Sequence, residues 1–294
     1  MSMETPAQAT FRDYVELTKP RLSMLSVITA MVGYFATRPP SNPPKFVLLL
    51  IGTSLAAGGV AALNQWMEHD TDARMKRTAD RPIPSGKVPT GSAFVLGWLM
   101  CIGALFLLFA KVDRFAALFT LLTIISYLGW YTPAKSRSHW STEIGAIAGA
   151  FPPLIGWCAG EGRVTTLGWI LFGVLFFWQI PHFMAVAWTY RREYSAVHFP
   201  MLPVRDESGK SVAVWSLINA VALVIVSLLP VVLHHCTVWY GGAAALSGIW
   251  FLWRAVVFLQ PAQREAAARR LFFASIIYLP LVLGALVADR LIFA

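Results

Sequence analysis

One stretch of the chain, residues 64–81, holds the side chains best suited to chemistry. Asn64, Glu68 and Asp72 recur at intervals of four residues. Because a helix turns about 100° per residue, their side chains fall within about 80° of one another on one helix face. Carboxylate and amide oxygens are the ligands that hard divalent cations prefer. The spacing therefore predicts a metal site on this face.

Basic side chains follow the acidic face. Within residues 64–81 the basic residues are Arg74, Lys76, Arg77 and Arg81. Later polar segments add Lys135, Arg137 and Arg191. A guanidinium group binds phosphate oxygens in a bidentate manner, and an ammonium group binds them as a point charge. An acidic face beside these bases predicts a magnesium diphosphate site, in which the bases bind the diphosphate and Arg77 and Lys135 stabilise it as it leaves.

Two simpler interpretations remain open for these residues. The acids could solvate a frayed helix end, although ionisable groups at membrane depth are costly and are usually functional. The bases could serve only as a topology signal. Asp70 lies at about 240° on the same helical wheel and would join the metal only if the helix unwinds after Met67.

The composition predicts an all-α membrane protein of one domain, residues 1–294. Hydrophobic residues make up 57% of the chain and charged residues 13%, and the mean hydropathy is +0.60. Nine apolar runs approach the ~20 residues needed to cross a bilayer. They are residues 22–38, 46–66, 92–110, 115–132, 144–160, 166–188, 213–233, 238–258 and 271–292. The net charge of +9 lies in short polar segments, so it implies no nucleic-acid partner.

Positive charge also predicts the orientation. With the N-terminus inside, all but six of the 24 lysines and arginines are cytoplasmic, the exceptions being Arg38, Lys45, Lys111, Arg114, Arg163 and Arg290. Positive residues favour the cytoplasmic side, so residues 1–20 and the loops 67–91, 133–143 and 189–212 are expected there. Residues 1–20 show no signal or transit pattern, which favours a bacterial inner membrane.

A second group of candidate residues surrounds His182. It comprises Trp178, Gln179, His182 and Phe183, in an apolar run that Pro181 is expected to kink or break, as Pro152, Pro153 and Pro230 are elsewhere. A histidine there could be an axial ligand of a haem, a proton carrier or a hydrogen-bonded core residue.

Four motifs in chain order resemble the UbiA-type intramembrane prenyltransferases, in particular the protohaem IX farnesyltransferase branch. Residues 64–82 read Asn-x-x-x-Glu-x-Asp-x-Asp-Ala-x-Met-x-Arg-Thr-x-x-Arg-Pro, and residues 149–157 read Gly-Ala-Phe-Pro-Pro-Leu-Ile-Gly-Trp. Residues 178–183 read Trp-Gln-Ile-Pro-His-Phe, and residues 200–204 read Pro-Met-Leu-Pro-Val. The resemblance implies a nine-helix bundle around a central cavity.

The resemblance also implies the reaction. Farnesyl diphosphate would donate its farnesyl group to a vinyl group of haem b, with Mg²⁺ as cofactor and the bilayer as environment. A haem A synthase and a terminal oxidase are candidate partners that could receive the product, and the sequence leaves open whether either does so. Family members that act on aromatic acids carry a second Asp-rich motif after the sixth span, here residues 166–188, where this chain has Arg191-Arg192-Glu193-Tyr194. Glu193 is therefore only an alternative metal ligand.

Three rival functions remain. Prenylation of a quinone or phenolic precursor would normally use the second Asp-rich motif. An ion-coupled transporter would also place acids and broken helices in the membrane, but it usually has an internal repeat that this sequence lacks. A noncatalytic haem-binding subunit would not depend on magnesium.

Overall fold

The computed structural model describes residues 9–37, 42–76, 78–196 and 199–293, which form helices and turns without a strand. The α-helices are α1 (Phe11–Leu17), α2 (Pro20–Phe35), α3 (Pro43–Asp72), α4 (Thr90–Lys111), α5 (Arg114–Ile125), α6 (Thr132–Arg137), α7 (Ser141–Glu161), α8 (Thr166–Thr189), α9 (Arg191–Ala196), α10 (Leu202–Arg205), α11 (Lys210–Val232), α12 (Val238–Phe258) and α13 (Arg264–Phe293). A π-helix, Ser126–Tyr131, joins α5 to α6, and a 3₁₀ turn, Pro261–Gln263, precedes α13.

Seven helical segments of the described chain are long and apolar enough to cross a membrane. They are Pro43–Asp72, Thr90–Lys111, Arg114–Arg137, Thr166–Thr189, Lys210–Val232, Val238–Phe258 and Pro261–Phe293. The protein is therefore a multi-pass membrane protein, and its predicted all-α class is confirmed. The predicted count of nine spans is not confirmed, because α2 and α7 fall outside this set. Helix α2 has only 16 residues, fewer than the ~20 that span a bilayer directly.

Helices α2 and α7 pack backbone to backbone. A Cβ on Gly33 would lie 1.8 Å from the carbonyl oxygen of Pro153, and a Cβ on Gly156 would lie 1.8 Å from that of Ala30. Small residues permit such close approach between membrane helices. The contact holds α2, and with it the chain at Lys19, against α7.

The prolines do not break their helices. Pro152 and Pro153 lie inside α7, Pro181 inside α8 and Pro230 inside α11. Each helix continues through its proline, so of the predicted kink or break the break does not occur. Neighbouring helices and side chains can satisfy the backbone groups that a proline frees within a membrane protein.

The polar segments contain more helix than the sequence predicted. Helix α3 continues to Asp72, six residues beyond the expected apolar run. The predicted loop 133–143 contains most of α6, and the predicted loop 189–212 contains α9 and α10. Residues 78–87 form turns, as Pro82, Pro84 and Gly86 indicate.

Candidate active site

The last turns of α3 carry the three predicted metal ligands. Asn64 and Asp72 are 1% and 4% exposed, and the side chain of Glu68 is 12% exposed. Because α3 does not unwind after Met67, the three side chains stay on one face. Two acids and an amide are thus held away from bulk water.

Hydrogen bonds fix the orientation of the Asn64 amide. Its Nδ2 donates to Thr132 Oγ1 at 3.3 Å, and Thr132 Oγ1 donates in turn to the carbonyl of Tyr127 at 2.9 Å. Its Oδ1 accepts a hydrogen bond from Lys19 Nζ at 3.1 Å. The network leaves the amide oxygen, the atom that can bind a metal, on the side of Lys19.

Each carboxylate is paired with one cation. Lys135 Nζ lies 3.0 and 3.1 Å from the two oxygens of Glu68, and it also lies 5.2 Å from the ring centroid of Tyr131. Arg81 Nη1 lies 2.5 Å from Asp72 Oδ2. With Lys19 on Asn64, every candidate ligand binds a different basic side chain.

Lys19 is the site residue that the sequence analysis missed. From the sequence it was assigned only to the positive charge of the N-terminal segment, yet it is half-buried beside the candidate metal ligands. Its backbone is left-handed, with φ 46° and ψ 59°. Burial lowers the pKa of the Lys19 ammonium to about 7, and the positive charges of Arg81 and Lys135 act in the same direction.

The donor set fits a hard cation. No group of three or more His, Cys, Asp or Glu side chains that could hold a metal occurs in the described part of the chain. The candidate set contains only two carboxylates, and its third oxygen comes from an amide. Oxygen ligands of this kind suit Mg²⁺, which typically binds one or two carboxylates together with the phosphates of a substrate.

Neither of the two alternative metal ligands is buried with these three residues. The side chain of Asp70 is 83% exposed, and one of its oxygens lies 3.4 Å from His69 Nε2. Glu193, on the short helix α9, is also exposed. The helical unwinding that Asp70 would need is absent.

The predicted diphosphate-binding residues separate into two groups. Arg81 and Lys135 lie at the candidate ligands, whereas Arg74, Lys76 and Arg137 are exposed. Arg191 Nη2 lies 2.5 Å from Glu265 Oε1, and its guanidinium lies 4.1 Å from the Trp188 ring centroid. Arg191 thus links α9 to α13. Arg77 lies outside the described residues.

A cavity of about 190 Å³ extends from Lys19 into the bundle. It is lined by α2, α3, α5, α7 and the π-helix, through residues that include Lys19, Thr53, Ala57, Thr120, Tyr127 and Gly149. Thr53 precedes Asn64 by eleven residues on α3, which corresponds to about 16 Å along the helix. Most of the side chains that line the cavity are apolar, and the cavity borders the polar site at Lys19.

The hydrogen bonds of Ser275 favour one tautomer of His182. Ser275 Oγ donates its only proton to the carbonyl of Phe272 at 2.6 Å, so it accepts the proton of His182 Nδ1 at 2.7 Å. The lone pair of the imidazole is then on Nε2, which has no hydrogen bond among the described residues. Trp178 stacks on the imidazole, with ring centroids 4.7 Å apart.

The neighbours of His182 connect it to the cavity wall. Trp178 Nε1 donates to the carbonyl of Ser275 at 2.7 Å, and Phe183 is exposed. Gln179 Nε2 donates to the carbonyl of Ala146 at 3.2 Å. Its Oε1 would lie 2.0 Å from a Cβ on Gly149, so the absence of a side chain at Gly149 lets Gln179 approach α7. One turn of α8 separates Gln179 from His182.

Fold and site together define an intramembrane helical bundle with paired acidic and basic side chains at the end of one helix. The UbiA prenyltransferase family matches residues 26–277, and the chain belongs to this family. A "Protoheme IX farnesyltransferase" of Opitutus terrae (strain DSM 11246 / JCM 15787 / PB90-1) is 75% identical over 291 residues, which cover 99% of both chains.

Solved structures show the same fold. A digeranylgeranylglyceryl phosphate synthase superposes with a TM-score of 0.83 at 18% identity, over 95% of this chain and 98% of the other. A UbiA homologue from Archaeoglobus fulgidus, bound to DMAPP and Mg²⁺, superposes with a TM-score of 0.66 at 13% identity, over 93% and 99%. At these identities the likeness establishes the fold of the bundle.

Proposed function

We propose that the protein transfers a farnesyl group from farnesyl diphosphate to a vinyl group of haem b, adds water and releases diphosphate, which yields haem O. The observation that carries this proposal is the 75% identity, over 99% of both chains, to a protoheme IX farnesyltransferase. The buried acids and bases at the end of α3 supply the groups that the reaction requires.

Asn64, Glu68 and Asp72 are the residues that would bind Mg²⁺. When bound, Mg²⁺ neutralises diphosphate charge and makes the diphosphate a better leaving group. Arg81 and Lys135 would bind the diphosphate oxygens that the metal leaves free. Arg77 remains a candidate for the same role from its place in the sequence. The exposed positions of Arg74, Lys76 and Arg137 suit attraction of the substrate more than direct binding.

The proposed reaction has three steps. The bond between farnesyl carbon 1 and the diphosphate oxygen breaks, and both electrons leave with the diphosphate. The vinyl group of haem b attacks carbon 1, and the positive charge moves to the vinyl carbon next to the porphyrin. Water adds at that carbon and loses a proton. The apolar cavity shields carbon 1 from water in the first step.

The cavity between α2, α3, α5 and α7 would hold the farnesyl chain. Extended, the eleven bonds of its twelve-carbon backbone span roughly 13 Å at the ~1.2 Å per bond of an extended polypeptide. The interval from Asn64 to Thr53 along α3, about 16 Å, accommodates that length. The diphosphate would then lie at Lys19 and carbon 1 at the boundary between the polar and apolar parts of the site.

We place the haem acceptor beside α8, near Trp178, Gln179, His182 and Phe183. The free lone pair on His182 Nε2 supports this placement, because a histidine that binds a metal ion commonly gives its other ring proton to a hydrogen-bond acceptor. Here Ser275 is that acceptor. The iron of haem b would then face the lone pair of His182 Nε2.

His182→Ala is expected to remove an imidazole-type feature from the absorption spectrum of bound haem b and to weaken haem binding about tenfold to a hundredfold. Ser275→Ala, which removes only the proton acceptor, is expected to shift the spectrum less. His139→Ala is the matched control, because His139 lies in the turn before α7 and is not part of α8. An unchanged spectrum in His182→Ala would refute this placement.

The orientation supports a cytoplasmic site in a bacterial inner membrane. The site lies at the C-terminal end of α3. The excess of lysine and arginine in the loops on that side of the membrane predicts that this side is cytoplasmic. Farnesyl diphosphate, a charged molecule, would reach this side without crossing the bilayer. The relative of 75% identity is also bacterial.

The test of the proposed function uses the purified protein with haem b, farnesyl diphosphate and Mg²⁺. The expected product, detected by mass, is haem that has gained a farnesyl group and one water, together with free diphosphate. The same mixture with EDTA should give none. Turnover of a phenolic acid in place of haem would contradict the assignment of the acceptor.

A further inference from the structure

The cavity beside the polar site ends at two threonines on different helices. Thr53 lies eleven residues before Asn64 on α3, and Thr120 lies twelve residues before Thr132 in the continuous helical segment Arg114–Arg137. Because Asn64 donates a hydrogen bond to Thr132, the two threonines lie at nearly the same distance from this contact, about 16–18 Å at a rise of ~1.5 Å per residue. Each is the lining residue of its helix that is farthest from the polar site.

This end of the cavity is closed. Thr53 and Thr120 are 6% and 1% exposed, and Ile155, the farthest lining residue along α7, is 4% exposed. These three residues are called the floor of the cavity. One turn beyond the threonines, Leu49 and Ala116 are fully buried in the hydrophobic core. Packed side chains therefore lie beyond the floor.

The hydroxyl groups of both threonines are bonded within their own helices. Thr53 Oγ1 donates to the carbonyl of Leu49, and Thr120 Oγ1 donates to the carbonyl of Ala116, both at 2.8 Å. A hydroxyl group whose proton is bonded to the preceding turn of its helix does not require water in the cavity. The floor is therefore suited to contact with an apolar group.

Ala57 lies between the floor and the polar site. Thr53, Ala57 and Asn64 fall within about 40° of one another around α3, so they form one line along the cavity wall. Ala57 is four residues, or about 6 Å, from Thr53. One isoprene unit adds four backbone bonds, which span roughly 5 Å at ~1.2 Å per bond. The side chain of Ala57 is therefore about one isoprene unit from the floor.

The length of the cavity fits three isoprene units. The interval from Asn64 to Thr53 along α3 is about 16 Å. An extended farnesyl backbone spans roughly 13 Å, whereas the fifteen bonds of a geranylgeranyl backbone span roughly 18 Å and the seven bonds of a geranyl backbone roughly 8 Å. A geranylgeranyl group is therefore too long for the cavity, and a geranyl group leaves apolar surface at the floor uncovered.

We propose that the floor residues Thr53, Thr120 and Ile155 select the length of the prenyl chain. They contact the end of a farnesyl group and exclude a geranylgeranyl group by their shape, without using the threonine hydroxyl groups. The inference rests on the proposed function, because the chain is that of its farnesyl substrate.

The experiment measures the affinities for geranyl, farnesyl and geranylgeranyl diphosphate by calorimetry, with Mg²⁺ and without haem. In the wild type, farnesyl diphosphate should bind at least tenfold more tightly than either of the other two, since one methylene group in an apolar pocket already changes discrimination by about tenfold or more. Ala57→Leu adds three carbons where the third isoprene unit would lie. It should shift the ratio of affinities about a hundredfold in favour of geranyl diphosphate.

A second variant enlarges the cavity. Thr53→Ala combined with Thr120→Ala removes two heavy atoms from each floor side chain, so the preference for farnesyl over geranylgeranyl diphosphate should fall about tenfold. Thr53→Val keeps the shape of the side chain without its hydroxyl group, and it should leave the ratios of the three affinities unchanged. Ser54→Leu, which adds bulk on the exposed side of α3, is the matched control for Ala57→Leu. Its ratios should also equal those of the wild type.

Three results would overturn the proposal. The first is a folded Ala57→Leu that binds geranyl and farnesyl diphosphate in the wild-type ratio. If Ala57→Leu does not fold, Ala57→Val, which adds a smaller group, should shift this ratio about tenfold, and an unchanged ratio there has the same meaning. The second is a wild type that binds geranylgeranyl diphosphate as tightly as farnesyl diphosphate. The third is a changed ratio in Thr53→Val, which would assign the selection to the hydroxyl group.

A purely structural role of these residues predicts a different pattern. All three affinities would fall by the same factor together with the melting temperature, and this pattern would also exclude length selection. Because haem is omitted, the result is separate from the test of the acceptor. A protein that selects the farnesyl chain in this way but does not farnesylate haem would contradict only the proposed function.

Discussion

Asp72→Asn is expected to lower the rate of farnesyl transfer about a thousandfold, the scale of loss seen when one group that stabilises developing charge is removed. The amide keeps the shape of the side chain, but it removes the negative charge that would bind the metal and that now pairs with Arg81. The fold should persist with a loss of about 1–2 kcal/mol, because one charged hydrogen bond is weakened. Single-turnover formation of the farnesylated haem measures the effect.

Asp70→Asn is the matched control for this change. It removes the same charge two residues earlier on the same helix, but the Asp70 side chain is exposed and lies off the ligand face. Its rate should stay within about threefold of the wild type, because exposed charges are screened by water and salt. Equal losses in the two variants would show that the general charge of this segment matters and that the ligand face does not.

The ligand face could be predicted because its geometry is local. The interval of four residues between Asn64, Glu68 and Asp72 follows from helical periodicity alone. The same argument left Asp70 off the face, and the structure agrees with that position. Their role in catalysis stays a prediction, which the Asp72 variant tests.

The partners of these residues could not be predicted, because they depend on packing between distant segments. Lys19 meets Asn64 across 45 residues of sequence, and Lys135 meets Glu68 across 67. In the sequence, Lys19 resembles any basic residue at a membrane boundary. Only the fold distinguishes a lysine that interacts with lipid headgroups from one that enters the site.

The same limit applies near His182. The sequence identified a histidine in an apolar helix but left its role open among three alternatives. Ser275, 93 residues later, accepts its Nδ1 proton, and this contact determines which nitrogen can bind a metal ion. Arg191 shows the opposite case. The sequence predicted that its charge binds diphosphate, whereas in the structure it pairs with Glu265 and forms a contact between α9 and α13.

Gly156→Ala should destabilise the protein, because it adds a methyl group where α7 contacts α2. The expected loss is about 3 kcal/mol, at the upper end of the loss that overpacking a core causes. A Cβ at this position would lie 1.8 Å from the carbonyl oxygen of Ala30 and 2.9 Å from the backbone nitrogen of Tyr34. Both obstacles are backbone atoms of α2, so no side-chain rotation relieves the clash. The melting temperature in detergent should fall by several degrees.

Gly103→Ala separates this clash from the general effect of adding a methyl group to a helical glycine. Gly103 lies within α4, and nothing lies within 4 Å of the Cβ that it would gain. Alanine favours helix by about 1 kcal/mol over glycine, so this variant should be as stable as the wild type or more so. Because α2 begins directly after Lys19, a shift of α2 away from α7 should also weaken the binding of farnesyl diphosphate in Gly156→Ala. If the affinity were unchanged despite a lower melting temperature, the position of Lys19 would not depend on the contact between α2 and α7.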